Sequence, residues 1–277
     1  SMANHQKEIE EFGNNDDFWL FGYGSLIWKP PPHYDQRVPG YIEGYVRRFW
    51  QASEDHRGTP EAPGRVVTLI DKAHWDTLTD HHASTERVWG AAYHIPTQHV
   101  AEVRNYLDIR EINGYSIQFT PFHPAAPSTT TTTTATRSKD ASAPATPVPQ
   151  SDSNTHSSQS PPSIRCLVYI GLPSNPQFLG PQDPDALARK ILESQGPSGE
   201  NKEYLYNLGK ALERLSAESE DAHVKDLVVR CRDIESREKK GDVGRAGDGA
   251  KEGMKGGEVG EALHKVGSTE EVEEVEK

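Results

Sequence analysis

Side chains able to build a hydrophobic core are confined to two blocks of this sequence. All but one of the 22 aromatic residues lie in residues 17–123 or 164–235, the exception being Phe12. Together the blocks hold 179 of the 277 residues, a comfortable size for one domain with one core. The overall hydrophobic content of 34%, low for a globular protein, therefore reflects dilution by the other segments.

The segment between the two blocks has an extreme composition. Residues 124–163 include 9 Ser, 9 Thr and 7 Pro, and Val148 is their only large aliphatic residue. Such a segment cannot bury enough apolar surface to offset the entropy lost on ordering. We expect a disordered insert within one domain spanning 17–235, because the second block is too small to cover its own strand. Residues 1–16 and 236–277 are expected to be disordered termini.

Composition and charge argue against several classes of protein. No run of about 18 apolar residues exists, and the acidic N-terminus lacks the features of a secretory signal. Two cysteines, Cys166 and Cys231, are too few for a disulfide scaffold or a four-thiolate zinc site, so a reducing, cytoplasmic location is expected. The net charge of −12 argues against nucleic-acid or membrane partners.

Hydrophobic patterning predicts strands followed by helices, which favours an α+β fold whose sheet curls or closes into a barrel. One helix should open at Thr97 as N-cap, and a second at Asp183 with Pro184 in its first turn. Two further helices are expected at residues 201–215 and 222–233. The strand predictions cover residues 18–23, 40–51, 65–70, 87–95, 115–122 and 164–170.

A glycine turn follows the first predicted strand, in the sequence Phe-Gly-Tyr23-Gly24-Ser25-Leu26-Ile27. It satisfies neither a dinucleotide-binding fingerprint nor a nucleophile elbow, since Ile27 stands where each requires glycine. Consecutive backbone N–H groups at such a turn can bind a carboxylate. On local chemistry alone, a turn that only ends a strand is the favoured interpretation.

Five other groups of residues stand out, each with an ordinary structural interpretation. Glu111 lies at a helix-to-strand junction, where scaffolds often mount catalytic side chains but where surface carboxylates are also common. Residues 51–65 and 196–205 are polar, glycine-containing loops, and Arg57 in the first could meet an anionic substrate. His81 and His82 lack partners at metal-ligand spacing, and no catalytic-thiol signature surrounds either cysteine.

Taken together and in order, six of these motifs resemble the ChaC family of glutathione-specific gamma-glutamylcyclotransferases. The resemblance covers both blocks and leaves out the insert and the tail. At Glu200 the chain departs from the proline more usual in that loop. The motifs are YGSLIW (23–28), GYVRRFWQ (44–51), DHRGTP (55–60), PGRVVTL (63–69), YLDIRE with GY (106–111, 114–115) and SGEN with EYL (198–201, 203–205).

The resemblance implies a small β-barrel flanked by helices and a reaction that converts glutathione to 5-oxoproline and cysteinylglycine. It implies no cofactor, metal or covalent intermediate. By position, Glu111 becomes the catalytic acid/base. The substrate-binding loop is Tyr23, Gly24, Ser25 and Leu26. Supporting roles fall to Glu102, where the family often has a second acidic residue, and to Arg57 and Tyr115.

Three alternatives remain open from the sequence. The fold is compatible with a cyclotransferase for other γ-glutamyl peptides or amines. It is also compatible with a non-catalytic protein that uses the same pocket, or its disordered segments, to bind partners. A third interpretation, a regulator acting through the acidic tail, predicts that deletion of residues 236–277 abolishes function, whereas an enzyme would keep nearly full activity.

Overall fold

The computed structural model describes the backbone of residues 17–110, 115–125 and 162–248. The chain divides into two compact units, Ser1–Glu235 and Ser236–Lys277, and the account below concerns the first. Most of the Ser/Thr/Pro-rich segment and the end of the tail lie outside the described residues. Among the helices of the described part, none is long and apolar enough to cross a membrane.

Five strands close into a barrel in the order β1-β5-β2-β6-β7, which confirms the predicted α+β barrel. Strand β1 pairs antiparallel with β5 and parallel with β7, and the other barrel pairs are antiparallel. The barrel strands are β1 (Phe18–Gly22), β2 (Gln36–Glu43), β5 (Arg87–Ile95), β6 (Tyr115–Pro124) and β7 (Ile164–Gly171).

A ribbon of β3 (Tyr45–Ser53) and β4 (Gly64–Asp71) stands apart from the barrel sheet. The sequence predicted one strand over residues 40–51, and this was wrong: the chain breaks at Gly44, whose φ of +83° suits glycine. Two-residue strands β8 (Gln195–Gly196) and β9 (Gly199–Glu200) form a small hairpin.

The described residues also form five α-helices: α1 (Lys72–Trp75), α2 (Val100–Arg110), α3 (Pro184–Glu193), α4 (Asn201–Glu213) and α5 (Ala222–Asp248). Asp183 caps α3 as predicted, its carboxylate accepting a hydrogen bond from the Ala186 N–H at 2.9 Å. Thr97 is not an N-cap. It begins a 3₁₀ turn, Thr97–His99, whose cap position is Pro96, and α2 follows directly.

The hydrophobic core lies on both sides of β1, which explains why every residue of this strand is apolar or glycine and buried. Phe18 and Leu20 pack in a cluster with α2, through Val103 among others. Trp19 and Phe21 belong to a second cluster, which also joins the β3–β4 ribbon to α3, α4 and α5. Both cysteines are buried, and burial raises the pKa of the Cys231 thiol to about 12.

A buried histidine, His223, ties α5 to β3. Its Nε2 accepts a hydrogen bond from the Phe49 N–H at 3.1 Å, which leaves Nδ1 to donate to His82 at 3.2 Å. His82 in turn lies 3.0 Å from Asp226. Burial, followed by the charge of Arg48, lowers the pKa of His223 to about 3, so the imidazole stays neutral. The other charged or titratable groups that act on it are Asp221, His82 and Asp80.

This histidine predicts that the protein loses stability in mild acid. Because its folded-state pKa lies below the unfolded value of about 6.5, the unfolded chain binds the extra proton first. The contribution is fully present above pH 6.5 and is lost as pH falls toward 3, which gives about 2 kcal/mol between pH 7 and pH 5. Urea unfolding at several pH values measures this loss. H223Q retains an acceptor for the Phe49 N–H and should lose this part of the pH dependence. If the free energy of unfolding varies with pH equally in H223Q and the parent, His223 is not the group responsible.

Candidate active site

A cavity of about 480 Å³ opens beside the end of β1, within the size range of small-molecule sites. Five separate parts of the chain supply most of its wall. They are residues 21–29, residues 52–57, β4, β7, and the start of α4 with its preceding loop. Tyr106 of α2 and Gln177 complete the lining.

The predicted substrate-binding residues Tyr23, Gly24, Ser25 and Leu26 all line this cavity. Strand β1 ends at Gly22, and Gly24 is the N-cap position of a 3₁₀ turn formed by Ser25–Ile27. The Gly24 N–H donates no hydrogen bond to another described residue, and its carbonyl accepts one from the Ile27 N–H at 3.0 Å. An amide at the cavity surface can therefore serve a ligand oxygen.

Buried side chains of the barrel and ribbon hold the carbonyl groups of this turn. Arg47, only 2% exposed, donates from Nη1 to the Tyr23 carbonyl at 2.8 Å and to the Trp89 carbonyl at 2.8 Å. The Tyr93 hydroxyl donates to the Leu26 carbonyl at 2.6 Å. With its carbonyls fixed from behind, the turn presents its other face to the cavity.

Tyr23 and Tyr204 fix the turn from the cavity side. The Tyr23 hydroxyl donates to the Tyr169 carbonyl of β7 at 2.8 Å. The Tyr204 ring meets Trp28 edge-on at a centroid distance of 5.4 Å. Within the described residues the buried Nε1 of Trp28 has no hydrogen-bond partner, so a polar donor lies next to the cavity without one.

The two polar loops singled out in the sequence meet at the cavity. The Ser198 N–H donates to the His56 carbonyl at 2.9 Å, and the His56 ring lies 3.2 Å from the Ser198 hydroxyl. Asn201, fully buried, accepts from the Arg65 N–H and donates to its carbonyl, each at 2.7 Å. Five of the six motifs that resemble one family therefore supply residues to this cavity, although more than 130 residues separate the two loops.

Arg57 is 6% exposed, yet it lines the cavity. Its Nη1 donates to the Glu200 carbonyl at 2.9 Å and lies 3.4 Å from the Glu203 carboxylate. The guanidinium also lies 5.9 Å from the centroid of the Tyr204 ring. Because Glu200 contributes only its carbonyl to Arg57, the replacement of proline by glutamate at this position leaves that contact intact.

The predicted catalytic Glu111 lies outside the described residues. The helix α2 ends at Arg110, just before it, and Tyr115 begins β6. Glu102, one turn before Tyr106 on α2, is not among the cavity-lining residues. Its carboxylate lies 3.0 Å from the Nε2 of His33 and 3.7 Å from the Nδ1 of His99.

Sequence analysis missed several aromatic residues of the cavity wall as site residues. Trp28 and Tyr204 lie inside motifs that it did quote, and their position beside glycine turns was the available signal. Tyr106 also lies inside a quoted motif but away from any glycine turn, and Tyr169 lies in none, so both resembled ordinary residues of a helix and a core strand. Gln177 lies in a loop that showed no motif.

Gly24 leaves no room for a larger residue, which provides a test of the cavity. A Cβ atom at this position would lie 2.8 Å from the Tyr204 hydroxyl and 3.1 Å from Val67 Cγ2. We expect G24A to shift the turn and to lower kcat/KM by up to about 10²-fold, without loss of fold. The Y204F/G24A double variant removes the hydroxyl that the new Cβ meets. Its kcat/KM should be higher than expected from multiplying the losses of G24A and Y204F. If the two losses simply multiply, the Cβ of G24A does not act through the Tyr204 hydroxyl.

Comparison with known proteins identifies the class to which this architecture belongs. The family model described as ChaC-like protein matches residues 18–234. The chain belongs to the ChaC-like family, as the motifs predicted.

Individual relatives extend over most of the chain. The glutathione-specific gamma-glutamylcyclotransferase of Schizosaccharomyces pombe is 40% identical over 217 residues, which cover 77% of this chain and 92% of the relative. The human glutathione-specific gamma-glutamylcyclotransferase 1 is 33% identical, with 78% and 79% covered. A crystal structure of the glutathione-specific enzyme from yeast superposes with a TM-score of 0.61 at 33% identity, covering 79% of this chain and 99% of that one.

Proposed function

We propose that this protein is a glutathione-specific gamma-glutamylcyclotransferase that releases 5-oxoproline and L-cysteinylglycine. The observation that carries the proposal is that five of the six family-like motifs supply residues to one cavity, in a chain whose relatives bear the name of this activity. Glutathione is the substrate, and no nucleic acid or membrane takes part. The reducing cytoplasm, where glutathione is abundant, is the proposed location.

The reaction is an intramolecular displacement. The α-amine of the γ-glutamyl residue attacks the γ-amide carbonyl, which forms the C–N bond of the five-membered ring. The bond to the cysteinyl nitrogen then breaks, and that nitrogen leaves with a proton as the amine of cysteinylglycine. Holding the γ-glutamyl arm in the ring-closing conformation can contribute about 7–11 kcal/mol to lowering the barrier.

Binding of the α-carboxylate falls to the turn Tyr23–Leu26. The Gly24 N–H can donate to this carboxylate because it has no other acceptor in the described part of the chain. Arg47 and Tyr93 keep the turn rigid, so its amides need no reorganisation when substrate binds. The Glu111 carboxylate takes a proton from the α-ammonium group and later gives one to the departing nitrogen. Glu102 lies outside the cavity wall, so any supporting role it has is exerted from α2 rather than by contact with the ligand.

Cationic groups at the cavity can bind the second carboxylate of glutathione, which belongs to its glycine residue. Arg57 and Lys29 both line the cavity, and within the described residues Lys29 forms no ion pair. An arginine that is buried beside an aromatic ring and fixed to a backbone carbonyl is well placed to orient a carboxylate. Arg57 therefore serves substrate binding rather than proton transfer.

Substrate choice separates the proposal from its alternatives. Purified protein is incubated with glutathione, oxidised glutathione or γ-glutamyl-alanine, and 5-oxoproline is quantified. We expect product from glutathione alone. Comparable turnover of γ-glutamyl-alanine would favour the broader cyclotransferase, while binding of glutathione without any product would favour a non-catalytic protein.

A further inference from the structure

Two histidines and a glutamate form a cluster outside the cavity wall. His33 belongs to the segment between the substrate-binding turn and β2, whereas His99 ends the 3₁₀ turn that precedes α2 and Glu102 lies in the first turn of α2. One nitrogen from each imidazole and one carboxylate oxygen lie within 4.8 Å of one another. His99 and Glu102 lie three residues apart, whereas His33 is 66 residues before His99, so the fold brings His33 to the other two side chains.

The arrangement directs both rings toward one carboxylate. The imidazoles of His33 and His99 are stacked, with centroids 4.2 Å apart and planes 6° from parallel. His33 Nε2 lies 3.0 Å from Oε1 of Glu102, and His99 Nδ1 lies 3.7 Å from Oε2. Thus one nitrogen of each ring lies next to one of the two oxygens of the Glu102 carboxylate.

A bound ion would require only side-chain rotation. Zinc ligands lie about 2.0–2.2 Å from the metal, and imidazole binds through a lone pair in the plane of its ring. The two stacked rings must therefore rotate until the lone pair of one nitrogen in each ring points at the ion. The side chains are 38%, 34% and 64% exposed for His33, His99 and Glu102, so neighbouring residues leave them room to do so.

Charge and ligand type select the kind of ion. In the described part of the chain no lysine or arginine pairs with Glu102; its ion-pair partners there are the two histidines. Two imidazoles disfavour Mg²⁺ and Ca²⁺, which prefer oxygen ligands. Two nitrogens and one carboxylate suit Zn²⁺ and neighbouring first-row divalent ions.

We propose that His33, His99 and Glu102 bind one Zn²⁺-type divalent ion, with water completing the coordination. The ion takes no part in the proposed reaction, since none of the three residues lines the cavity. It links the segment that follows the substrate-binding turn to the helix that ends at Arg110, and so stabilises both against local opening. This role also gives Glu102 a function that does not require contact with substrate.

Metal binding is measured directly on the full-length, untagged, metal-free protein. Calorimetric titration with Zn²⁺ should give one site, and Co²⁺ should give visible absorption bands of a low-symmetry site. Glutathione is omitted, because its thiol competes for both ions. Thermal unfolding with and without Zn²⁺ provides a second readout that does not depend on activity.

Variants of the cluster decide the outcome. H99Q should weaken Zn²⁺ binding by more than about 100-fold, since loss of even an outer-sphere partner costs about 10- to 100-fold. H33N provides an independent ligand deletion, because asparagine tolerates the left-handed φ of 61° at this position. H81Q, at an exposed histidine outside the cluster, is the matched control. Absence of binding, or binding that H99Q and H33N leave unchanged, would overturn the proposal.

Discussion

The E111Q variant is expected to lose about 10²- to 10⁴-fold in kcat for release of 5-oxoproline from glutathione. Glutamine keeps the volume and hydrogen-bonding reach of glutamate but cannot accept the proton of the substrate ammonium group. That ammonium group has a pKa near 8, so most of the substrate is not nucleophilic at pH 7 until a base acts. KM should change much less than kcat, because the turn Tyr23–Leu26 and Arg57 still bind the substrate.

The design separates a catalytic from a structural loss. E86Q changes an exposed glutamate before β5 that does not line the cavity, and it should match the parent protein. Circular dichroism and thermal unfolding of E111Q should also match the parent. If E111Q keeps activity within about threefold of the parent, Glu111 is not the base.

The strands were largely predictable because their residues alternate or run apolar over short distances. β5 was predicted residue for residue, and β1, β4 and β7 to within one residue at either end. The break at Gly44 escaped prediction because residues on both sides have high β propensity, and only the positive φ distinguishes the turn. The barrel was predicted, but not the β1–β7 pairing that closes it, since this pairing joins residues almost 150 positions apart.

The site was predictable as a set of motifs but not as a geometry. The turn at Tyr23–Leu26 and the loop at Arg57 were identified from their residues and from the family resemblance. The side chains that hold the turn in place could not be predicted, because in the sequence Arg47 resembles an ordinary polar residue of an exposed strand. Its partner Asp221 lies 174 positions away, and no spacing rule connects the two. A tertiary contact of this kind appears only once the ribbon and α5 have been placed.

Loss of the Arg47–Asp221 contact is expected to destabilise the protein more than any other single substitution considered. Arg47 Nε lies 3.0 Å from the Asp221 carboxylate, and the side chains are 2% and 6% exposed. Burial alone would raise the pKa of Asp221, but the Arg47 charge holds that pKa below its usual value. R47M would leave this carboxylate unpaired, together with the carbonyls of Tyr23 and Trp89.

We expect R47M to cost about 3–5 kcal/mol of the free energy of unfolding, a large part of the total of a single domain. The R47M/D221N double variant removes the buried charge but keeps a side-chain oxygen for the N–H groups of His223 and Val224, which Asp221 caps. It should therefore be more stable than R47M alone, with a coupling energy of about 0.5–3 kcal/mol. Urea unfolding of the parent, both single variants and the double variant measures this cycle. A loss below about 1 kcal/mol in R47M would show that the pair does not stabilise the fold.

Arg47 also connects stability to the proposed activity, and R47K separates the two. Lysine keeps the positive charge beside Asp221, but a single ammonium group cannot reproduce the fixed fork that serves Asp221, Tyr23 and Trp89 together. R47K should therefore be more stable than R47M while kcat/KM falls, because the Tyr23 carbonyl loses its rigid donor and the turn moves. If R47K retains full kcat/KM on glutathione, the guanidinium contributes to folding alone and does not position the substrate-binding turn.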